Sequence, residues 1–176
     1  MFKKIIYSEI LGAIFTIGAG VLLHFTYEWS EENLVVAAFS SVNESNWEHL
    51  KLLFIPMLLY AVLEYLFLGR RYNSYILAKT FGILSGIYFI LSLVYTYSGI
   101  IGRHFVVVDI IIFIISVILA HIISYYFVKN YNFDSVSVRW CSIAILLLFL
   151  ILFVVFTYYP PQLNLFLDPQ TQSYGV

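Results

Sequence analysis

The sequence predicts an all-α bundle of five membrane-spanning helices, and three observations carry that reading. Of 176 residues, 62% are hydrophobic and only 11% are charged, whereas a soluble domain carries about a quarter charged residues. Five apolar runs are each long enough to cross a hydrocarbon core, which takes about 20 residues. The Lys and Arg residues between the runs collect on one side, as they do on the cytoplasmic side of multi-pass proteins.

The runs are 5–26, 50–69, 75–97, 105–128 and 138–159, within a single transmembrane domain that spans 1–176. Helices are the expected form, because a backbone in lipid must satisfy its own hydrogen bonds. A β-barrel would need short alternating segments, and these runs are continuous. The first run follows Lys3 and Lys4 and ends in His24-Phe25-Thr26-Tyr27-Glu28-Trp29 without a small-residue cleavage site, so it reads as a retained helix and not as a secretory signal.

Lys3, Lys4, Arg70, Arg71, Lys79, Lys129 and Arg139 fall on one side, and Lys51 and Arg103 on the other. The amino terminus is therefore expected inside and the carboxyl terminus outside. Residues 27–49 form the long outer loop, whose apolar middle, 34–39, is too short to cross and is expected at the interface. Pro160-Pro161 stops the fifth helix, and the extracytoplasmic tail 160–176 is expected to fold back through Leu163, Leu165, Phe166 and Leu167.

A net charge of −1 with no basic cluster excludes nucleic acid as a partner. The lipid bilayer is the expected environment, with a homo-oligomer or an accessory partner compatible with the glycine-bearing faces. The lone Cys141 makes no intrachain disulfide and no cysteine metal site.

Two polar levels are legible. Glu9, Gly12, Thr16, Gly20 and His24 recur at three- and four-residue steps and share one helical stripe. Small residues there let another helix approach, and Gly82-x-x-x-Gly86 offers a matching flat surface. Glu64 and Lys79 come level across a tight hairpin, with His121 and Glu9 at similar depth. Intramembrane ionisable groups are costly and face a bundle interior or a cavity. Glu9, Glu64, Lys79 and His121 therefore form an inner layer, read either as a structural ion-pair cluster or as a group with a transport or catalytic role.

The outer level holds His24, Glu28, Asn43, Glu44, Glu48, His49 and Asp109, with Tyr95 and Tyr97. Two histidines among carboxylates suit a divalent metal. The sharpest expectation is that His24, Glu28, Glu48, His49 and Asp109 line one cavity beneath 34–39. The alternative is structural: Ser45-Asn46-Trp47-Glu48 reads as a capping box, and Trp29, Trp47 and the tyrosines read as an aromatic belt.

The pieces His24-Phe25-Thr26-Tyr27-Glu28-Trp29, Asn43-Glu44-Ser45-Asn46-Trp47-Glu48-His49, Tyr95-Thr96-Tyr97-Ser98-Gly99 and Tyr158-Tyr159-Pro160-Pro161 resemble an uncharacterised family of small bacterial integral-membrane proteins. The resemblance covers essentially the whole chain. It implies a bacterial cytoplasmic membrane and favours the outer level as the working site, without supplying a reaction. Ser45-x-x-x-His49 with Asp109 also resembles the metal-dependent membrane hydrolases related to alkaline ceramidases and adiponectin receptors. Those enzymes carry a late His-x-x-x-His pair, whereas here Tyr125 stands four residues after His121. Small-ligand or cation binding or transport, a membrane-embedded metal hydrolase, and a structural or accessory subunit are the three functional classes left open.

Overall fold

A computed structural model describes the backbone of residues 2–176 and the side chains from Lys3 onward, leaving Met1 outside the described residues. Six α-helices follow one another: α1 (Phe2–Trp29), α2 (Leu34–Ala37), α3 (Asn46–Phe67), α4 (Tyr75–Ile101), α5 (Val106–Asn130) and α6 (Val136–Tyr158). A single 3₁₀ turn, Gly69–Arg71, separates α3 from α4. Among the described residues there is no strand, only an isolated bridge between Leu167 and Tyr174 in the tail. The five long helices are each long and apolar enough to cross a membrane. α1 extends past its apolar run at both ends, α3 at its start and α4 at its end, because a polar end is still a competent helical turn, while α3 stops at Phe67, short of its run's end.

Each boundary has a local cause. Ser45 caps α3 by accepting the Glu48 amide, and Ser135 caps α6 by accepting from Val138 N. Gly102 ends α4 in the left-handed conformation at φ 80°, its amide returning to Ser98 O. Glu31 and Glu32 both take positive φ just after α1, turning the chain toward α2.

The long helices run up and down in chain order. α1 packs on α3 and α5, while α4 packs on α3, α5 and α6. The glycines decide how close these contacts are. Pro56 has no amide hydrogen and so leaves the Leu52 carbonyl without its helical donor. Gly20 of α1 lies directly against that carbonyl, and a Cβ there would come within 2.5 Å of Leu52 O and 2.7 Å of Phe113 Cζ. The gap left in one helix is thus covered by the bare backbone of another. Gly82 and Gly86 face Ala120 of α5 and Leu53 of α3, not the stripe of α1 with which the sequence pattern matched them. Gly12 of that stripe instead meets Tyr60 and His121.

The end of the bundle that carries the tail is sealed by aromatics. Trp47 sits among Phe153, Phe156 and Phe166 at centroid distances of 4.7, 5.5 and 5.0 Å. Phe166 belongs to the tail, which folds back so that Leu165 O accepts from Trp47 N and Thr157 O accepts from Val176 N. The bundle is otherwise inverted relative to a soluble protein. Glu9, Lys51, Glu64, Lys79 and His121 are buried, while Ile111, Ile115, Ile122, Leu147 and Ile151 are exposed.

Gly20→Ala tests the close approach of α1 to α3. It is expected to destabilise the bundle by about 1–3 kcal/mol, the usual cost of overpacking, read as a lower midpoint of denaturant unfolding in detergent micelles. Gly18→Ala, where a Cβ meets nothing within 4 Å, is expected to keep or slightly raise the midpoint, as Ala favours a helix interior over Gly by about 0.5–1 kcal/mol.

Candidate functional site

The inner level is one continuous cluster. Lys79 Nζ of α4 lies 2.9 Å from Glu9 Oε1 of α1 and 2.5 Å from Glu64 Oε2 of α3. Glu9 Oε2 accepts from His121 Nδ1 of α5 at 2.7 Å, and Ser124 Oγ donates to Glu9 Oε1 at 2.7 Å. The far side of the imidazole, Nε2, stands 3.3 Å from Thr16 Oγ1. Tyr75 donates its hydroxyl to Glu64 Oε2 at 2.7 Å. Three helices therefore meet at one ammonium, and Glu9 joins a fourth, α5, to them. The hairpin register brought Glu64 level with Lys79; that Glu9 shares the same ammonium, with Ser124 and Thr16 completing the set, was not legible locally.

At the outer level the expected set divides into three groups. His24 at the end of α1, His49 at the start of α3 and Glu44 in the loop between them come together. Glu44 Oε1 is 3.6 Å from His24 Nε2, and Glu44 Oε2 is 3.4 Å from His49 Nε2. The two imidazole centroids are 5.4 Å apart, and one donor atom from each of the three residues lies within 4.8 Å of the others. All three side chains are about one-third exposed. His24 Nδ1 is buried without a hydrogen-bond partner, so its tautomer is not pinned from behind as that of His121 is.

Glu48 does not join them. It is buried and turned inward, with Lys51 Nζ 2.5 Å from Oε2. Lys51 also donates to Ala37 O and Thr157 Oγ1, each at 2.9 Å, and Val42 N donates to Glu48 Oε2 at 3.1 Å. The capping box is thus half formed: Ser45 accepts from Glu48 N, but the Ser45 amide is taken by Asn43 Oδ1 at 2.9 Å. Asn43 is further occupied by donating to Gly175 O of the tail at 3.0 Å.

Asp109 belongs to a third group at the turn between α4 and α5. It accepts a short hydrogen bond from the Tyr97 hydroxyl and lies 3.8 Å from His104 Nδ1, a histidine the sequence reading did not single out. Glu28 is exposed at the last turn of α1. The expectation of one cavity joining His24, Glu28, Glu48, His49 and Asp109 is therefore corrected. The space beneath 34–39 is filled by Lys51, whose ammonium takes the carbonyl left free at the end of α2. An unpaired carboxylate at the buried position 48 would be too costly to leave facing a cavity.

The electrostatics of the three-residue group follow from its geometry. The Glu44 carboxyl is held below the ordinary carboxylate range, chiefly by its hydrogen bond with His49, against the opposing effect of burial and with help from the charges of His49 and His24. That contribution to stability is present above the ordinary value of 4.5 and is lost as pH falls through the depressed one. Two imidazole nitrogens and a carboxylate form a donor set suited to zinc and its neighbours. With metal–nitrogen bonds of about 2.0–2.1 Å, tetrahedral donors stand about 3.3–3.4 Å apart. The two Glu44 separations are already close to that.

Fold and sites together define an all-helical bundle with five helices apolar and long enough to cross a membrane, polar at two buried levels and at one half-open histidine–carboxylate cluster. The chain belongs to a family of unknown function, DUF6512, whose model matches residues 1–176. Neither a curated protein nor a solved structure matches it.

Lys79→Met isolates the inner cluster's cation. Removing the ammonium leaves Glu9 and Glu64 without it, and the expected loss is about 3–5 kcal/mol, as for other broken buried pairs. Adding Glu64→Gln to that variant is expected to recover part of the loss in the same unfolding assay. Strictly additive losses would show that the groups do not depend on one another.

Proposed function

We propose that this chain is a multi-pass protein of a bacterial cytoplasmic membrane that binds a divalent transition-metal cation at its outer face through His24, Glu44 and His49. The amino terminus is inside and the carboxyl terminus outside. The observation that carries the reading is the convergence of the three side chains, from two helix ends and the loop between them, with donor atoms within 4.8 Å of one another.

The membrane placement draws on the inverted bundle. Aliphatic side chains line its outside and charges its inside, the arrangement a hydrocarbon solvent demands. Orientation draws on the cations. With Lys79 and Lys51 both buried in ion pairs, Lys3, Lys4, Arg70, Arg71, Lys129 and Arg139 remain at one end and Arg103 at the other, a bias that places the first end in the cytoplasm.

Among the three functional classes, cation binding fits the donor chemistry most directly. Glu9, Glu64, Lys79 and His121 of the inner layer are in ion-pair contact with one another across four helices, which favours a structural role over a relay. The hydrolase reading keeps one specific support: two histidines and one carboxylate, one-third exposed, leave a coordination position for water or substrate, as catalytic zinc sites do.

Two measurements test this. In a Cys141→Ser background, a cysteine at position 103 is expected to react with a membrane-impermeant thiol reagent added outside intact cells, and one at position 73 to stay protected; the reverse pattern would overturn the orientation. Titration of the purified chain with Zn²⁺ or Co²⁺ is expected to give one ion per chain. His24→Ala, His49→Ala or Glu44→Ala should each weaken it by about tenfold or more. Affinity is expected to fall as the pH is lowered, because protons compete with the metal for its ligands. Equal binding by His49→Ala would end the metal reading.

A further inference from the structure

A second constellation lies at the opposite end of the bundle, far in sequence from the histidines. The connection between α3 and α4 and the connection between α5 and α6 are tied together there. Asn73 Nδ2 donates to Asn132 Oδ1 at 3.1 Å, and Ser74 Oγ donates to Tyr131 O at 2.7 Å. These bonds hold Arg70, from the 3₁₀ turn, and Arg139, from the first turn of α6, on the walls of one cleft of about 90 Å³. Tyr65, Tyr72, Asn73 and Ile76 complete its lining. That volume is several times what one water needs.

Neither arginine is neutralised by a strong internal partner. Arg70 lies over the Tyr65 ring, 5.7 Å from its centroid, a contact that orients the guanidinium without cancelling its charge. Arg139 has Asp134 at 3.5 Å, but that carboxylate is two-thirds exposed, and such pairs are weak and screened. Asp134 is also the only carboxylate on these two connections. Two guanidinium forks around one small polar cleft match the oxygens of a phosphate group, which arginine binds through paired hydrogen bonds.

The surroundings identify the source of that phosphate. Leu66 and Phe67, which follow Tyr65 in the chain, and Trp140, which follows Arg139, are exposed apolar side chains. A soluble phosphate has no use for them, whereas the upper acyl chains of a lipid do. We propose that the Arg70–Arg139 cleft binds the phosphate of an anionic lipid headgroup in the leaflet facing this end of the bundle. The cationic end of a multi-pass protein meets the leaflet whose anionic lipids attract it, so the cleft turns a diffuse attraction into a defined site. The inference rests on the membrane placement above and is independent of the metal site.

The test uses the full chain purified in neutral detergent, with bound lipid counted by native mass spectrometry and the thermal midpoint followed in parallel. Phosphatidylglycerol is expected to be retained at one molecule per chain and to raise the midpoint, and phosphatidylcholine to do neither. The Arg70→Gln/Arg139→Gln double variant should weaken phosphatidylglycerol retention by about tenfold or more, the scale of losing charged hydrogen bonds. Asp134→Asn, which removes Arg139's competitor and needs no loss of a cation, should strengthen retention. Equal retention of the two lipids by the wild type, or undiminished retention by the double variant, would overturn the site. Stabilisation by inorganic phosphate that matches that of the lipid would overturn the lipid assignment. A chain that enters micelles normally yet shows no anionic preference sinks the headgroup site alone and leaves the membrane placement standing.

Discussion

The ammonium of Lys79, held between Glu9 and Glu64, is the constraint on which the bundle depends. An isolated charge at that depth is expensive, and pairing it demands that α1, α3 and α4 be rotated to one azimuth. Glu9 then carries the requirement onward to His121 and Ser124 of α5. Hydrophobic packing alone is nearly indifferent to rotation when a helix is apolar on every side. The polar cluster removes that freedom, because any helix turned away from it leaves a buried charge unmatched. Specificity, more than net stability, is what such a cluster contributes, since a well-packed apolar replacement of a buried pair is often as stable.

The end of the bundle that carries the tail repeats the device with different elements. Lys51 and Glu48, one turn apart on α3, form a buried pair whose spare hydrogen-bonding capacity reaches Ala37 and Val42 of the loop and Thr157 of α6. The loop is thereby pinned at Ala37 and at Val42, and Asn43 is tied to the tail. Glu44 is left as the next residue, facing outward between His24 and His49. The half-open cluster is thus a product of the closed one beneath it: Glu48 turns inward and holds the loop that carries Glu44. Gly20 completes the arrangement by letting α1 approach the Leu52 carbonyl closely.

Composition and periodicity by themselves determined the helical class, the number of long helices and the common level of Glu9, Glu64, Lys79 and His121 along the helix axes. These properties are local: a continuous apolar run must bond its own backbone, and rise per residue converts position into depth. The backfolded tail was legible for the same reason, since a Pro-Pro stop followed by Leu, Phe and Leu must bury those side chains somewhere. Only the tertiary structure decided which side chains at a given depth meet. Glu44 and Glu48 sit four residues apart in one polar knot, yet one turns to two histidines and the other to Lys51. Thr157, which separates them by occupying Lys51 and Glu48, is 106 residues from Lys51 in the chain. Gly82 and Gly86 likewise read as a partner surface for α1 and instead receive α5. Depth is set along a helix axis and can be counted from the sequence. Azimuth is set by contacts between helices remote in the chain, and no spacing within a single helix encodes it.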